Sequence, residues 1–310
     1  MKKINSNLQD LYTDLQHLVA PGSLCCDEPL SAHTTFKIGG PADIFVTPQT
    51  MLQLSQVLAA IHKAGVPLTV LGSGSNVLVL DGGIRGVVLS LSDMRETMAA
   101  IDGVLTISAG YMLKDASEFA YAAGLTGLEF AIGIPGTLGG AVFMNAGAMV
   151  VNVSGSNKVR AVDMAGQVRE YSAEELAFAY RHSRFHESHE IIGEVDIRLK
   201  DGDKDEILAH GRFYATRESK QPLEYASAGS TFKRPPGYFA GTLIEQTGLK
   251  GLAVGDAEVS QKHAGFVINK GQASAEDVLN LIHSVQARVA EAHGVNLETE
   301  VRIIGEKAQK

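Results

Sequence analysis

The sequence predicts a mixed α/β or α+β protein built from two or three packed units, and three observations point to this fold class. The chain has 310 residues, which is longer than the size at which one hydrophobic core usually stops growing. Short β-type runs such as PLTVLG and VLTISAG alternate with helical stretches near 51–64 and 113–123, a pattern typical of mixed folds. Glycine is frequent, with 33 residues in clusters, which indicates backbone that approaches a ligand closely or adopts positive φ.

The helices are predicted from apolar spacing and from capping residues. An amphipathic helix is expected over 6–20, where leucines recur at helical spacing. Another helix is expected over 204–218. The last helix should begin after Ser274, a good N-cap supported by Asp277, and end at Gly294. The leucines that define the first helix are Leu8, Leu11, Leu15 and Leu18.

The strands are predicted as short runs separated by Gly, Asp and Asn turns from residue 34 onward. Further strands are expected around 158–171 and 190–199, and a last strand is expected at LETEVRIIG. In that last strand Glu298 and Glu300 would point to the same face, because side chains alternate along a strand.

Bulk composition excludes several classes of protein. Apolar residues make up 45% and charged residues 20% of the chain, as in ordinary globular proteins. The net charge of −8 argues against a nucleic-acid partner, which would need basic stripes. No apolar run is long enough to span a bilayer, and MKKINSNLQD has no apolar signal-peptide core. The adjacent Cys25 and Cys26 fit a reducing compartment, so we expect a cytoplasmic protein.

The first glycine loop lies in VLGSGSNVLVLDGG, residues 70–83. Small residues between two apolar β runs let successive N–H groups converge on a pyrophosphate. The loop is not the dinucleotide fingerprint of doubly wound folds, since no GxGxxG opens a helix here. A tight hairpin without a ligand explains it equally well on turn chemistry alone. The candidate contacts are Gly72, Ser73, Gly74, Ser75 and Asn76.

The second glycine loop, GLEFAIGIPGTLGGAVFMNAGA over 127–148, is the stronger signal. Many glycines in an apolar segment sacrifice chain entropy and packing, which a purely structural role rarely needs. Two such loops favour a dinucleotide held along its backbone, and TTFKIGGPAD (34–43) adds Gly39 and Gly40. The marked residues are Gly133, Pro135, Gly136, Gly139, Gly140, Asn145 and Gly147.

Taken in order, these motifs resemble the FAD-binding domain of the vanillyl-alcohol-oxidase type, and the second glycine loop is especially similar to the UDP-N-acetylenolpyruvoylglucosamine reductase family. YRHSRF (180–185), AGSTFKRP (228–235), GLKG with VSQKHAGFVIN (248–269) and ETEVRIIG (298–305) match the same family in order. Several separated motifs in one order make coincidence improbable. The chain resembles the shorter, second type, which lacks an inserted loop after YRHSRF.

The resemblance implies an α+β fold with an N-terminal helical segment over 1–30, a two-subdomain FAD-binding domain over 31–200 and a smaller α/β substrate domain over 201–310. It also implies an oxidoreductase of peptidoglycan precursor synthesis that uses FAD and NADPH to reduce an enolpyruvyl UDP-sugar to UDP-N-acetylmuramate. The residues it implies as FAD contacts are Gly72, Ser73, Gly74, Ser75, Asn76, Gly133, Pro135, Gly136, Gly139 and Gly140.

Three residues are implied as catalytic. The planar fork of Arg181 can hold the substrate carboxylate and stabilise its enediolate form, although a surface ion pair is the ordinary role of such an arginine. Ser230 is the family's proton donor, although by sequence alone it is a turn residue. Glu300, which precedes Val-Arg in the motif, orients or polarises the substrate carboxyl.

Lys220, Lys262 and His263 are candidate contacts to phosphate or NADPH, and Arg234 is a candidate contact to the sugar or phosphate of the substrate. Arg234 stands where many members of the family have Asn. The spacing of His182, His186 and His189 matches no standard ligand set, so we predict no metal site and interpret them as solvated residues.

Two alternatives remain open. A related flavoenzyme such as an alcohol or aldonolactone oxidase would keep the FAD-binding fold, and the motifs AGSTFKRP and ETEVR argue against it. A non-enzymatic flavin- or nucleotide-binding protein would require Arg181, Ser230 and Glu300 to be dispensable.

Overall fold

The structure of the protein is a computed structural model in which residues 6–146 and 158–308 are described. The second glycine loop, predicted over 127–148, runs past these residues at its end, so Gly147 lies outside the described residues.

The chain divides into two compact units, and each unit is assembled from three separate segments. Unit 1 comprises Met1–Cys26, Asp43–Ser73 and Gly86–Glu218, and unit 2 comprises Asp27–Ala42, Gly74–Arg85 and Ser219–Lys310. The boundaries expected at residues 30 and 200 concern the function of each part and stay a prediction.

Helices are found in both units. The α-helices described are α1 (Ser6–Gln16), α2 (Met51–Ala64), α3 (Leu113–Ala122), α4 (Leu138–Phe143), α5 (Phe185–Ser188), α6 (Lys204–Glu218), α7 (Ala240–Gln246) and α8 (Ala275–His293). Short 3₁₀ helices span Leu30–His33, Glu129–Gly133 and Glu174–Leu176.

The strands are short. They are β1 (Leu24–Pro29), β2 (Pro41–Val46), β3 (Leu68–Leu71), β4 (Val77–Val79), β5 (Ile84–Ser90), β6 (Met98–Ile101), β7 (Val104–Ser108), β8 (Leu125–Thr126), β9 (Lys158–Val162), β10 (Val168–Ser172), β11 (Ile191–Arg198), β12 (Lys200–Asp201), β13 (Ala226–Ser230), β14 (Ala253–Val254), β15 (Ala257–Val259), β16 (Phe266–Asn269) and β17 (Arg302–Ile304).

Local capping signals explain where two of the longer helices begin and end. Thr50 caps α2 by accepting a hydrogen bond from the N–H of Gln53, and Gly65 ends it with φ +63°. Helix α8 begins with a full capping box between Ser274 and Asp277 and ends at Gly294, as predicted. Such caps satisfy backbone groups that have no partner inside the helix.

Unit 1 contains two larger sheets and an antiparallel pair of β8 with β12. A five-stranded antiparallel sheet has the order β10-β9-β11-β7-β6. The unit 1 parts of β1, β2 and β5 form a second sheet with β3, in which β3 and β5 are parallel. Along β11, Val195 and Ile197 are buried while Asp196 is partly exposed, the alternation of a half-buried strand. The side chains of Val195 and Ile197 join a core with those of Val57 and Ile61 from α2.

Unit 2 has its own core. A four-stranded antiparallel sheet has the order β13-β16-β15-β14, and α8 packs against β14 and β15. A separate parallel pair joins β17 to β4. The fully buried Val278, Leu281 and Val285 of α8 pack with Phe36 and Leu78, which come from the two earlier segments of the unit.

Candidate functional site

The first glycine loop follows β3, and its first two residues lie in unit 1. A Cβ at Gly72 would overlap the side-chain oxygen of Thr137, so only glycine fits there without rearrangement. Within residues 6–146 and 158–308, the N–H groups of Gly72 and Ser73 donate to no acceptor. The buried Ser73 Oγ likewise has no partner in this part of the chain. Unsatisfied polar groups gathered in one loop favour an external ligand.

The remaining residues of this loop lie in unit 2, and the chain itself explains the glycine at position 74. Gly74 has φ +65°, and a Cβ there would overlap the carbonyl oxygen of His33 and lie 2.7 Å from Thr34 Cα. Its carbonyl oxygen accepts a hydrogen bond from the N–H of Thr35 at 3.3 Å. Close approach by the chain's own backbone is therefore sufficient reason for glycine here, and a ligand contact through Gly74 stays a prediction.

Asn76 connects the first glycine loop to the last strand of unit 2. Its carbonyl oxygen accepts a hydrogen bond from the N–H of Arg302 at 3.0 Å. Its side-chain amide donates to the carbonyl oxygen of Glu300 at 3.4 Å. The loop end and the Glu300 segment are therefore held together within unit 2.

The second glycine loop leads into α4 in unit 1. Gly136 has φ +134°, and Thr137 caps the helix by accepting from the N–H of Gly140 at 3.4 Å. A Cβ at Gly139 would lie 2.8 Å from the Cβ of Ala109. The N–H of Gly139 donates to the carbonyl oxygen of Ala109 at 3.0 Å. Packing alone therefore explains Gly139, while its predicted contact to FAD stays a prediction, as do those of Gly133, Pro135 and Gly140.

Arg181 lies in a tight turn of unit 1. Ala179 and His182 exchange backbone hydrogen bonds of 3.1 and 3.2 Å, so Tyr180 and Arg181 are the two central residues. Arg181 has φ +54°, a left-handed conformation that few non-glycine residues adopt. Its guanidinium lies 5.2 Å from the centre of the Tyr180 ring. Unusual backbone of this kind clusters at functional sites.

The YRHSRF segment is attached to the end of α4. The Asn145 side-chain amide donates to the carbonyl oxygen of Ala179 at 2.8 Å. Ser183 Oγ donates to the carbonyl oxygen of Phe143 at 2.7 Å, and the His186 ring stacks on Phe143 with a centroid distance of 4.0 Å. His186, interpreted from sequence as solvated, is thus partly buried because its ring packs on an aromatic neighbour.

Ser230 and Glu300 are brought together in unit 2 by Thr231. The N–H of Thr231 donates to the carbonyl oxygen of Gly265 at 2.9 Å, and its carbonyl oxygen accepts from the N–H of Glu300 at 2.8 Å. The exposed Ser230 precedes Thr231 at the end of β13, opposite Phe266 of β16. The end of β13 that carries Ser230 thus lies beside the segment that carries Glu300.

Glu298 and Glu300 do not lie in a strand, which corrects the sequence prediction. They flank Thr299, which forms an isolated bridge with Phe232, and β17 begins only at Arg302. The carboxylate of Glu298 is 75% exposed and lies 3.1 Å from Lys233 Nζ. Glu300 is partly buried, so the two carboxylates have different surroundings.

The four lower-ranked candidates all lie in unit 2. Lys220 and Arg234 are exposed, and the Arg234 guanidinium lies 4.0 Å from the centre of the Phe239 ring. Lys262 Nζ is 3.5 Å from a carboxylate oxygen of Glu224. Ligand contacts through these residues stay a prediction.

The surroundings of His263 favour the neutral form of its imidazole. Burial, and to a lesser extent the positive charge of Lys250, lower the pKa of its imidazole below the ordinary 6.5. Its Nδ1 accepts the N–H of Gly265 at 3.1 Å, which assigns the ring proton of the neutral form to Nε2.

The structure also identifies site residues that the sequence argument did not select. Thr137 contacts Gly72, Thr231 joins Ser230 to Glu300, and Ser183 fixes the Arg181 segment. Thr137 carried a usable signal, since a threonine before Leu-Gly-Gly is a good N-cap. Thr231 and Ser183 carried none, because their partners are distant in sequence. In the described parts of the chain, no helix is long and apolar enough to cross a membrane.

Comparison with known proteins defines the class. Residues 42–172 match the family model described as FAD binding domain. Residues 221–304 match the model of the UDP-N-acetylenolpyruvoylglucosamine reductase C-terminal domain. Together with the glycine loops, these matches make the chain an FAD-binding flavoprotein with a distinct C-terminal part, and the predicted α+β class is confirmed.

Relatives along the whole chain identify the family. UDP-N-acetylenolpyruvoylglucosamine reductase of Clostridioides difficile is 46% identical, covering 97% of this chain and 99% of its own length. The reductase of Geobacillus kaustophilus is 45% identical over 96% of this chain and 99% of its own. The crystal structure of the Thermus caldophilus reductase superposes with a TM-score of 0.75 at 37% identity, covering 89% of this chain and 97% of that one. The chain belongs to the UDP-N-acetylenolpyruvoylglucosamine reductase family.

The residues present fit FAD. The N–H groups of Gly72 and Ser73 and the Ser73 Oγ, which have no partner in the described part of the chain, suit a pyrophosphate.

Proposed function

We infer that this chain is an FAD-containing, NADPH-dependent oxidoreductase that reduces the enolpyruvyl ether of UDP-N-acetylglucosamine to UDP-N-acetylmuramate for peptidoglycan synthesis. The observation that carries the inference is similarity to reductases of this name along nearly the whole chain. We place the reaction in the cytoplasm, where NADPH and UDP-sugars are available.

The reaction needs hydride at C3 of the enolpyruvyl group, a proton at C2 and stabilisation of the charge that develops on the carboxylate. Bound FAD, once reduced by NADPH, supplies the hydride. Side chains of this protein must supply the proton and stabilise the developing charge.

Arg181 is the proposed partner of the substrate carboxylate. Its guanidinium offers parallel N–H donors that match a carboxylate, and this pairing strengthens as the enediolate gains charge. The unusual φ of +54° supports a positioned rather than incidental arginine.

Ser230 is the proposed proton donor to C2, and Glu300 the residue that orients or polarises the carboxyl group. Support comes from their close placement through Thr231. The exposure of Ser230 also leaves its hydroxyl accessible to a substrate, as proton transfer within hydrogen-bond reach requires.

Lys220, Arg234, Lys262 and His263 are the proposed contacts to the diphosphate or to NADPH. Arg234 is the strongest of them, because stacking on Phe239 orders its fork while the side chain stays exposed. His263, with its lowered pKa, would act as a neutral hydrogen-bond donor through Nε2 rather than as a positive charge.

The absorption spectrum of the purified protein tests the proposal. Flavin absorption should be present, bleached by NADPH under anaerobic conditions, and restored by the enolpyruvyl UDP-sugar with formation of UDP-N-acetylmuramate. A flavin that NADPH bleaches but only oxygen restores would contradict this substrate and favour an oxidase. A folded protein that does not bind added FAD would contradict the class.

A further inference from the structure

We propose that Ser183 and Asn145 are positioning residues that hold Arg181 in its working orientation. The inference rests on the proposed role of Arg181 and adds two residues outside those implied as catalytic or as FAD contacts. Both act through the backbone of the turn and need not touch the substrate.

The Arg181 turn needs support from outside. A two-residue turn with an arginine at φ +54° is less favourable than the same turn with glycine. Strained backbone persists only where the surrounding structure over-determines it. Besides the two backbone bonds between Ala179 and His182, side-chain hydrogen bonds on either side of Arg181 supply such restraints.

Ser183 supplies the restraint on the C-terminal side. Its side chain is fully buried, at 0% exposure, and its hydroxyl donates to the carbonyl oxygen of Phe143 at 2.7 Å. Phe143 is the last residue of α4, where carbonyl groups lack partners inside the helix. The bond thus satisfies a partly buried helix end and fixes the chain two residues after Arg181.

Asn145 supplies the restraint on the N-terminal side. Its amide donates to the carbonyl oxygen of Ala179 at 2.8 Å, and Ala179 opens the turn. Asn145 itself has φ +45°, which asparagine tolerates better than most residues. The chain on both sides of Arg181 is therefore bonded to the three-residue stretch 143–145, which begins with the last residue of α4.

Helix α4 also begins at the candidate cofactor loop. Its N-cap Thr137 is the residue against which Gly72 packs. One six-residue helix therefore separates the first glycine loop from the bonds that hold the Arg181 turn. A regular element fixes such a spacing more tightly than a loop does.

The test compares Ser183→Ala and Asn145→Gly with wild type in the FAD-loaded full-length enzyme. Asn145→Gly removes the side chain but still permits positive φ. Reoxidation of the reduced flavin by the enolpyruvyl UDP-sugar should slow by about 10- to 100-fold in each variant, since small misplacements of a reacting group cost this much. Reduction by NADPH should keep its wild-type rate. Hydrogen exchange of the peptide containing residues 177–185 should become faster.

Ser117→Ala is the matched control, because Ser117 is also buried in unit 1 and donates to a backbone carbonyl, that of Leu128, at 2.8 Å. It should leave both half-reactions unchanged. In an Arg181→Ala background, Ser183→Ala should cause no further loss, as expected for residues that act through one group. A further multiplicative loss there, or equal slowing in Ser117→Ala and Ser183→Ala, would overturn the positioning role. A wild-type rate in Arg181→Ala itself would instead overturn the proposed function of Arg181.

Discussion

Ser230 owes its position to its neighbour Thr231, whose backbone and side chain are bonded to two other segments of unit 2. Besides the bonds to Gly265 and Glu300, Thr231 Oγ1 accepts the N–H of Val267 at 3.0 Å. A serine hydroxyl is a weak acid, so its usefulness as a proton donor depends on such fixed placement. Sequence pattern could nominate Ser230 through the resemblance alone, since the partners of Thr231 are set by the fold.

Ser230→Ala should leave NADPH reduction of the flavin intact and slow its reoxidation by substrate. Loss of a positioned proton donor typically costs about 10²- to 10⁴-fold, and stopped-flow absorbance would separate the two half-reactions. Ser227→Ala, in the same strand, is the control and should react normally. Equal slowing of both half-reactions in Ser230→Ala would indicate a structural defect.

The glycines show a limit of sequence reasoning at the residue scale. The sequence does not distinguish a glycine that faces a ligand from one that faces the chain's own backbone. The sequence predicted both loops, yet Gly74 and Gly139 have packing reasons that became visible only with His33 and Ala109 beside them.

Gly74→Ala should lower the free energy of unfolding by more than a positive φ alone requires. Gly248 has φ +72° in open space in the same unit, so Gly248→Ala measures the conformational cost, about 1–2 kcal/mol. Gly74→Ala adds the overlap with His33 backbone. Urea denaturation of both variants gives the difference, and equal destabilisation would show that the overlap is relieved without cost.

At the scale of elements, locally encoded features could be predicted and partner-dependent ones could not. The residues that form the capping box of α8 and the glycine that ends α2 lie within a few positions of the helix ends. Both ends of α8 were predicted correctly. The last strand was predicted too long, because β17 is limited to Arg302–Ile304 by its pairing with β4. A pattern in one segment carries no information about the length of a distant partner.

The turn that carries Arg181 is joined to α5 by an ion pair whose charge depends on pH. His182 Nε2 lies 2.7 Å from Glu187 Oε1. The hydrogen bond to Glu187 raises the pKa of the exposed His182, and the bond to His182 lowers the pKa of Glu187. The pair's contribution is therefore lost as pH rises through the raised pKa of His182, and also as pH falls through the lowered pKa of Glu187.

Glu187→Gln should return the pKa of His182 toward its ordinary value of 6.5, because the amide cannot stabilise the imidazolium by charge. An NMR titration of the His182 ring would record the change. Glu118→Gln alters net charge equally but removes a partner of Lys114 instead, so it should leave His182 unchanged. The same titration curve in wild type and Glu187→Gln would contradict the pair.

Each of the two units is assembled from segments that are distant in sequence, and no local sequence pattern predicts this. Unit 2 is completed by two early segments, 27–42 and 74–85, and the predicted FAD-binding domain over 31–200 had included all of them except residues 27–30. Phe36, Ile38 and Leu78 lie in the core of unit 2 at 1%, 3% and 0% exposure. Apolar residues in a short strand or turn fit either unit equally well, so only the assembled fold distributes them.

This organisation predicts that residues 219–310 will not fold alone. The fragment would lack the three core side chains and the β4 partner of β17. It would also lack Asp81, whose carboxylate accepts the N–H of Ala275 at 2.9 Å at the start of α8. Removing large core side chains costs about 2–5 kcal/mol each, comparable to the whole stability of a domain of this size.

Circular dichroism melts and ¹H–¹⁵N spectra of the fragment should show no cooperative transition and poor dispersion. In the full-length chain, Leu78→Ala should lower the free energy of unfolding by about 2–5 kcal/mol. Leu223→Ala, at a position 59% exposed, should have little effect, because it removes no buried contact. A cooperatively melting fragment with a dispersed spectrum would mean that the C-terminal segment carries a sufficient core by itself. The early segments would then be additions to unit 2 and not parts on which its folding depends.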